Sequence, residues 1–370
     1  MKTKKTATIT FHAAHNYGSN LQAYALQQTI MRLGFENVII NLRTERQKDL
    51  YTVFTKRKGL KYIVKNLSHL VYYFPLKRAY QKFEDFITNK LVVTEEYSTE
   101  EELANANFVF DTYIAGSDQI WNPIPADFDW SYYLTFVQKG RKISYAPSFG
   151  QLASQGDVET RKRIAIALKS FDVISAREQG AADNIRQLVG IEPQIVLDPT
   201  LLLDKKEWLE LVKDKKRLVE GDYIFFYTLF ADPKRMDIVK RVSKATGLPV
   251  VTSNFSNQYD VFNSFKKCYD AGPLDFLTLI RDAKLVIVSS FHGTVFSTLL
   301  NIPFFAIDGM TDARISSLLR ITGLECREIT TNNVEDKCKE AFNIDFNNVN
   351  QLIEEARKPS VEFLKKSLES

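Results

Sequence analysis

Short apolar runs alternate with segments of helical period along almost the entire chain. That alternation is the pattern of repeated βα units, which build parallel sheets. In the first half, residues 7–11, 38–41, 109–115, 142–146, 173–176 and 194–197 predict strands, with helices over 21–33, 158–169 and 179–188. After Asp198-Pro199 the series restarts, with strands over 223–228, 250–252, 285–289 and 304–307 and helices over 233–246, 273–282, 293–300 and 313–322. The fold class is therefore α/β, with two Rossmann-like domains facing a cleft, over residues 1–204 and 205–345. The tail 346–370 carries an amphipathic stretch, 349–368, expected to form a long helix that returns to brace the first domain. No repeat of solenoid period and no low-complexity tract is present.

One insertion departs from the alternation. Residues 56–90 hold nine Lys/Arg against Glu84 and Asp85, interleaved with Tyr62, Tyr72, Tyr73, Phe74, Tyr80, Phe83 and Phe86. Basic residues beside an aromatic and aliphatic face suit a helix pair lying on an anionic membrane. A helical hairpin packed on its own domain, with a solvated basic face, explains the same composition. No nucleic-acid module surrounds these aromatics, so nucleic acid is not expected as a partner.

Composition narrows the picture without redirecting it. At 370 residues the chain is long for one core and suits two domains. With 45% apolar and 25% charged residues it reads as globular, and a net charge of +4 is small for its length. Cys268, Cys326 and Cys338 are widely spaced and form no CxxC, which fits a reducing compartment rather than a disulfide framework or zinc site. The basic amino terminus has an apolar run too short and broken for a signal peptide, and no run of about 18 apolar residues occurs. The expected location is cytoplasmic, with peripheral contact at the inner membrane face through 56–90.

Candidate chemistry lies in four loops that follow predicted strands, at the sheet edge where open α/β proteins bind ligands. In KLVIVSSFHGTVFSTLLNIPFFAID, His292 stands between a strand and a helix. The backbone N–H groups of a helix start favour an anion, with Ser289, Ser290, Gly293 and Thr294 as neighbours. An imidazole there can move protons near neutral pH; the plain alternative is a helix-capping role. Arg314, opening the next helix, suits the same anion or is an exposed helix-start charge. In the first loop, His12 to Asn20, Asn16 and Tyr17 are candidate ligand contacts; Gly18 permits a tight turn, and Ser19 or Asn20 can cap the helix. Gly116-Ser117-Asp118-Gln119-Ile120-Trp121-Asn122-Pro123 places short polar groups beside an indole, which suits a sugar, with Gln119, Trp121 and Asn122 as contacts. Asp118 can act as a base on a hydroxyl; an Asx turn with a packed Trp is the equal alternative. Arg177 ends a strand and can grip a carboxylate or phosphate, or else pair with Glu178 or Asp198. There is no GxGxxG, GxSxG or Walker loop, and His12, His15 and His69 form no HExxH or Cys/His metal spacing.

The segments NYGSNLQAYAL, GSDQIWNP, SYAPSFG, SAREQGA, VLDPTLLL and SSFHGTVFSTLLNIPFFAI occur in order and at spacings that resemble the polysaccharide pyruvyl transferase family, over about residues 7–325. The resemblance implies a glycosyltransferase B-like fold and transfer of a pyruvyl group from phosphoenolpyruvate to a sugar of a surface polysaccharide such as capsule or exopolysaccharide. The product is usually a ketal across two hydroxyls, and no metal or redox cofactor is implied. It matches the family's histidine to His292 and its arginine to Arg177, with the donor on the second domain and the acceptor, free or lipid-linked, on the first. Two departures stand out: Ser290 where many members have arginine, and Gly116-Ser117-Asp118-Gln119 where they have a glycine-only loop. The alternatives from other classes are a nucleotide-sugar-dependent glycosyltransferase and a non-catalytic glycan-assembly protein.

Overall fold

The computed structural model describes residues 4–55, 58–150, 157–255 and 258–370, so residues 56 and 57 of the basic insertion lie outside it. The chain divides into two compact units. The first comprises Met1–Ser68, Glu84–Leu203 and Ala356–Ser370, the second His69–Phe83 and Asp204–Glu355.

In the first unit β1 (Lys5–Ile9), β2 (Glu36–Leu42), β3 (Val93–Tyr97), β4 (Thr112–Ala115) and β5 (Arg141–Ser144) form a sheet of order β3-β2-β1-β4-β5. Every pairing in it is parallel. A short parallel pair, β6 (Ser175–Ala176) and β7 (Gln194–Ile195), continues beside β5 through a bridge between Ile143 and Val173. The second unit holds β8 (Ile224–Tyr227), β9 (Val250–Thr252), β10 (Lys266–Lys267), β11 (Leu285–Val288), β12 (Phe304–Ile307) and β13 (Glu328–Ile329), in the order β10-β9-β8-β11-β12-β13. These pairings are also all parallel. Strand order reverses between β1 and β4 in one sheet and between β8 and β11 in the other, and such switch points open the ligand crevices of α/β sheets. Their central strands are buried on both faces, which is why they read as unbroken apolar runs.

Three strands escaped the sequence pattern: β3, β10 and β13. Each is an edge strand, and each carries charge (Glu95 and Glu96, Lys266 and Lys267, Glu328). Charge on an edge discourages pairing with another chain and erases the apolar signal.

Domain limits also differ from expectation. The break at 203/204 falls one residue from the expected one, but His69–Phe83 belongs to the second unit. Aromatic packing explains this, since His69 and Tyr72 meet Phe255 at 5.2 and 5.1 Å and Tyr72 meets Tyr269 at 5.2 Å. Lys82 adds an ion pair to Asp275 at 2.7 Å. The insertion forms helices Leu60–Val71 and Tyr73–Lys90, separated only by Tyr72. That connection is shorter than the roughly two to five residues an antiparallel hairpin uses.

The carboxyl-terminal helix, Phe346–Glu369, is likewise shared: its residues from Ala356 onward belong to the first unit. Arg357 donates to the Leu201 carbonyl at 2.6 Å, the Ser360 hydroxyl accepts from Leu197 N–H at 3.0 Å, and Leu364 and Leu368 are fully buried. Truncating Leu364 to Ala is expected to destabilise the first unit by about 2–5 kcal/mol, the usual result of a cavity in a packed core. Urea unfolding followed by tryptophan fluorescence checks it; an unchanged midpoint would mean that the tail merely rests on the surface.

Candidate active site

In the first unit, loops after β1, β4, β5, β6 and β7 meet in one buried polar network. Its centre is Arg177, whose side chain is 2% exposed. Arg177 Nη1 donates to Asp198 at 2.9 Å and Nε to Glu178 at 3.3 Å, while Asp118 lies 3.8 Å from Nη1. Burial alone lowers the guanidinium pKa, but the charges of Glu178, Asp198 and Asp118 outweigh that and raise it. Ser19, in the first turn of the helix after β1, donates to Asp118 at 2.6 Å, and Ser148, after β5, donates to Glu178 at 2.6 Å. Asp198 also accepts from the Thr200 hydroxyl and N–H, fixing the turn at Pro199. Asp118 is held at φ 76° beyond a cis Gly116–Ser117 peptide, in a loop packed so closely that a Cβ on Gly116 would lie 2.0 Å from the Tyr145 carbonyl oxygen.

These contacts revise several expected roles. Arg177 is enclosed by carboxylates rather than presented to an incoming anion, because three acids compensate its desolvation. Trp121 is fully buried, stacked on Tyr133 at 5.3 Å, with Nε1 donating to the Tyr132 carbonyl; no sugar reaches its face. Asn16, rather than Ser19 or Asn20, caps the helix Tyr17–Arg32 by accepting from Gly18 and Ser19 N–H groups. Gly18 lies inside that helix rather than in a tight turn, and Tyr17 is buried. Asn122 is buried and accepts from Ile124 N–H, while Gln119 beside it is half-buried.

A second cluster on the first unit was missed by the sequence reading. Half-buried His15 sits 2.8 Å from Glu84 and stacks on Tyr51, whose hydroxyl donates to Asp127 at 2.8 Å. Arg43 also pairs with Glu84, at 2.7 Å. Burial tends to raise Glu84, but the hydrogen bonds and charges of His15 and Arg43 overcome it and hold the carboxyl at about 2. Asp127-Phe128-Asp129 is a DxD spacing, yet Asp129 caps a short 3₁₀ turn through Ser131 N–H. Among the described residues no group of three or more His, Cys, Asp or Glu is placed to hold a metal ion. These groups converge only in space, so their spacing in the chain gave no warning.

In the second unit His292 is half-buried in the first turn of the helix Phe291–Leu299, directly after switch-point strand β11. The helix begins two residues earlier than expected because Ser290 is its cap, accepting from Gly293 N–H at 3.1 Å. One helix-start donor is thus taken by the protein's own hydroxyl. A Cβ on Gly293 would come within 2.8 Å of Val288. Thr294 is fully buried and donates to the Ser290 carbonyl, so it faces the helix and not a ligand. Ser289 is half-buried and shares a 2.6 Å hydrogen bond with Thr228, which follows β8. Arg314, in the first turn of the helix Ala313–Thr322, forms a two-point pair with the cap residue Asp312, at 3.0 and 2.6 Å. Burial tends to raise Asp312, but Arg314 outweighs it and holds the carboxyl low. Lys234, not singled out beforehand, follows β8 and pairs with Asp308, after β12, at 2.9 Å. In the order β8-β11-β12 that pair passes across the carboxyl end of β11, the strand that leads to His292.

A family model described as polysaccharide pyruvyl transferase matches residues 16–309. No curated protein matches the chain. Among solved structures, a Listeria monocytogenes protein assigned as a UDP-N-acetylglucosamine 2-epimerase is 12% identical, with TM-score 0.57, covering 98% of this chain and 95% of its own. The glycosyltransferase AviGT4 of avilamycin A biosynthesis is 9% identical, with TM-score 0.55 and coverages of 98% and 97%. The Methanocaldococcus jannaschii UDP-GlcNAc 2-epimerase in complex with UDP-GlcNAc and UDP is 12% identical, with TM-score 0.54 and coverages of 92% and 93%. At such identities the likeness establishes a glycosyltransferase B-like fold.

Two outcomes test the buried network. Arg177→Ala should cost about 3–5 kcal/mol in denaturant unfolding because it strands buried carboxylates. Arg177→Lys should recover little of this, lacking the planar fork. His12 is fully buried against Asn41 and the Thr10 carbonyl, and burial lowers its pKa from 6.5 to about 4. The unfolded chain therefore binds more protons between those values, and stability should fall as pH drops from 6.5 to 4, by up to roughly 3 kcal/mol. In His12→Asn that slope should vanish from urea midpoints measured across the range.

Proposed function

The chain belongs to the polysaccharide pyruvyl transferase family and is therefore a transferase, and we propose that it moves a pyruvyl group from phosphoenolpyruvate to hydroxyls of a saccharide. The acceptor is a sugar of a surface polysaccharide or of its lipid-linked repeat unit, and the product is a ketal. The observation that carries this reading is His292, in the first helical turn after a switch-point strand and inside the matched region, at the sheet edge where the Lys234–Asp308 pair joins the segments after β8 and β12.

The second unit takes the donor. Phosphoenolpyruvate brings a carboxylate and a phosphate; Lys234, Arg314 and the helix start supply positive potential, and both cations sit in partly exposed pairs that an anion can enter. Ser289 and Ser290 offer hydroxyls to the same ligand. His292 donates a proton to the methylene carbon, turning it into a methyl group and leaving an oxocarbenium-like centre at the adjacent carbon. An acceptor hydroxyl oxygen bonds to that centre and loses its proton. The carbon–oxygen bond to phosphate then breaks, phosphate leaves with the electron pair, and a second hydroxyl closes the ketal. Of the two hydroxyl protons, one replaces that given by His292 and the other leaves with phosphate. Positioning and charge stabilisation carry the reaction, with no redox step.

The first unit takes the acceptor. Asp118, with Ser19 on one oxygen, is the carboxylate for a hydroxyl proton. Arg177 acts through it, as a positioning residue rather than a donor ligand.

Mass spectrometry of lipid-linked saccharides incubated with enzyme and phosphoenolpyruvate should show the added pyruvyl mass. His292→Ala should lower turnover at least about 100-fold while leaving the melting temperature in place. Isothermal titration giving tight binding of a UDP- or GDP-sugar and none of phosphoenolpyruvate overturns the reading in favour of a glycosyltransferase. Full cellular complementation by His292→Ala would instead indicate a non-catalytic assembly protein.

A further inference from the structure

The helix Leu60–Val71 presents an apolar stripe to solvent. Ile63, Leu67, Leu70 and Val71 are 57%, 60%, 63% and 76% exposed, and Phe74, just beyond, is 72% exposed. The spacing i, i+4, i+7, i+8 puts the first four on one face of one helix. At the end of this helix His69, and after it Tyr72, pack on Phe255. The stripe itself faces solvent. Contiguous exposed apolar area of this kind marks an interaction site.

Charge identifies the occupant. Residues 56–83 contain eight Lys/Arg and no Asp or Glu, whereas the whole chain carries a net charge of only +4. The remainder of the chain is therefore net acidic, and along the sequence positive charge is concentrated around the stripe, although Arg78 and Lys82 pair with Asp270 and Asp275. Lys58 before the stripe and Lys77 after it are exposed. Apolar side chains on an exposed helix face, with an exposed lysine before and after them and no acid within the segment, fit the boundary of an anionic bilayer, where acyl chains take the stripe and headgroups take the lysines. A second copy of this chain would set like charge against like.

We propose that the face of Leu60–Val71 seats the protein on an anionic membrane surface. The interaction is interfacial: no helix among the described residues is long and apolar enough to cross a bilayer. The seat stands on exposure and charge alone and does not depend on the transfer reaction, although it would bring the protein to a lipid-linked acceptor.

Vesicle flotation tests it on the full chain. The protein should float with phosphatidylcholine vesicles holding about 30 mol% phosphatidylglycerol, and should stay behind with pure phosphatidylcholine or at about 0.5 M salt. The double variant Leu67→Asp/Leu70→Asp should bind anionic vesicles at least about tenfold more weakly. Both positions are exposed, so its circular dichroism and melting should match the parent. Lys58→Glu/Lys77→Glu should weaken binding at low salt and leave little further salt dependence. Absence of flotation at low salt overturns the proposal, as does undiminished binding by the double aspartate variant. A concentration-dependent dimer in sedimentation, abolished by the same variant without any vesicle binding, assigns the face to a second copy and also overturns it. Flotation needs no turnover, so its failure leaves the transferase reading standing, and the reverse holds as well.

Discussion

One guanidinium organises the first unit. Removing Arg177 from water is costly unless well-placed carboxylates and further hydrogen bonds compensate. Here Asp198, Glu178 and Asp118 come from different loops, and the hydroxyls of Ser19, Ser148 and Thr200 satisfy the remaining oxygens. Loops after five strands are thereby held to one charge. Connecting segments are ordinarily the mobile part of an α/β protein; here five of them are tied to one buried ion cluster. The segments NYGSN, GSDQ, SYAPS, SARE and VLDPT share this one structural cause.

The second unit uses charge in the opposite manner. Its polar edge has neutral hydroxyl caps around His292, and its ions stand in partly exposed pairs, Lys234 with Asp308 and Arg314 with Asp312. Of the two, Lys234–Asp308 is the more exposed, and exposed pairs contribute little to stability. The contrast is between a half whose loops are tied to one buried ion cluster and a half whose edge carries separate ion pairs. Ser290 caps the helix, and the cations of this edge come from segments after neighbouring strands.

Surface chemistry follows the same economy. The edge strands β3, β10 and β13 carry charged residues that keep their open sides from pairing with another chain. The helix Leu60–Val71 does the reverse, exposing aliphatic side chains in a region without acids.

The order and type of the main elements were legible in the residues, because central parallel strands are buried on both faces and helices carry a 3.6-residue stripe. His292 was legible too, since strand, turn and helix are contiguous and fix its place at a sheet edge. Three classes of fact were not. Edge strands hid because their charge cancels the apolar signal. The burial of Trp121, Thr294 and Arg177 depended on which distant segments cover them; an indole or guanidinium looks the same in a sequence whether it meets a sugar, a tyrosine ring or three acids. Lys234 across from Asp308, and Glu84 between His15 and Arg43, are partners brought near by strand order. Local periodicity is a property of consecutive residues and can be read from them, whereas the environment of a charge is set by residues far along the chain and exists only once the sheets have formed.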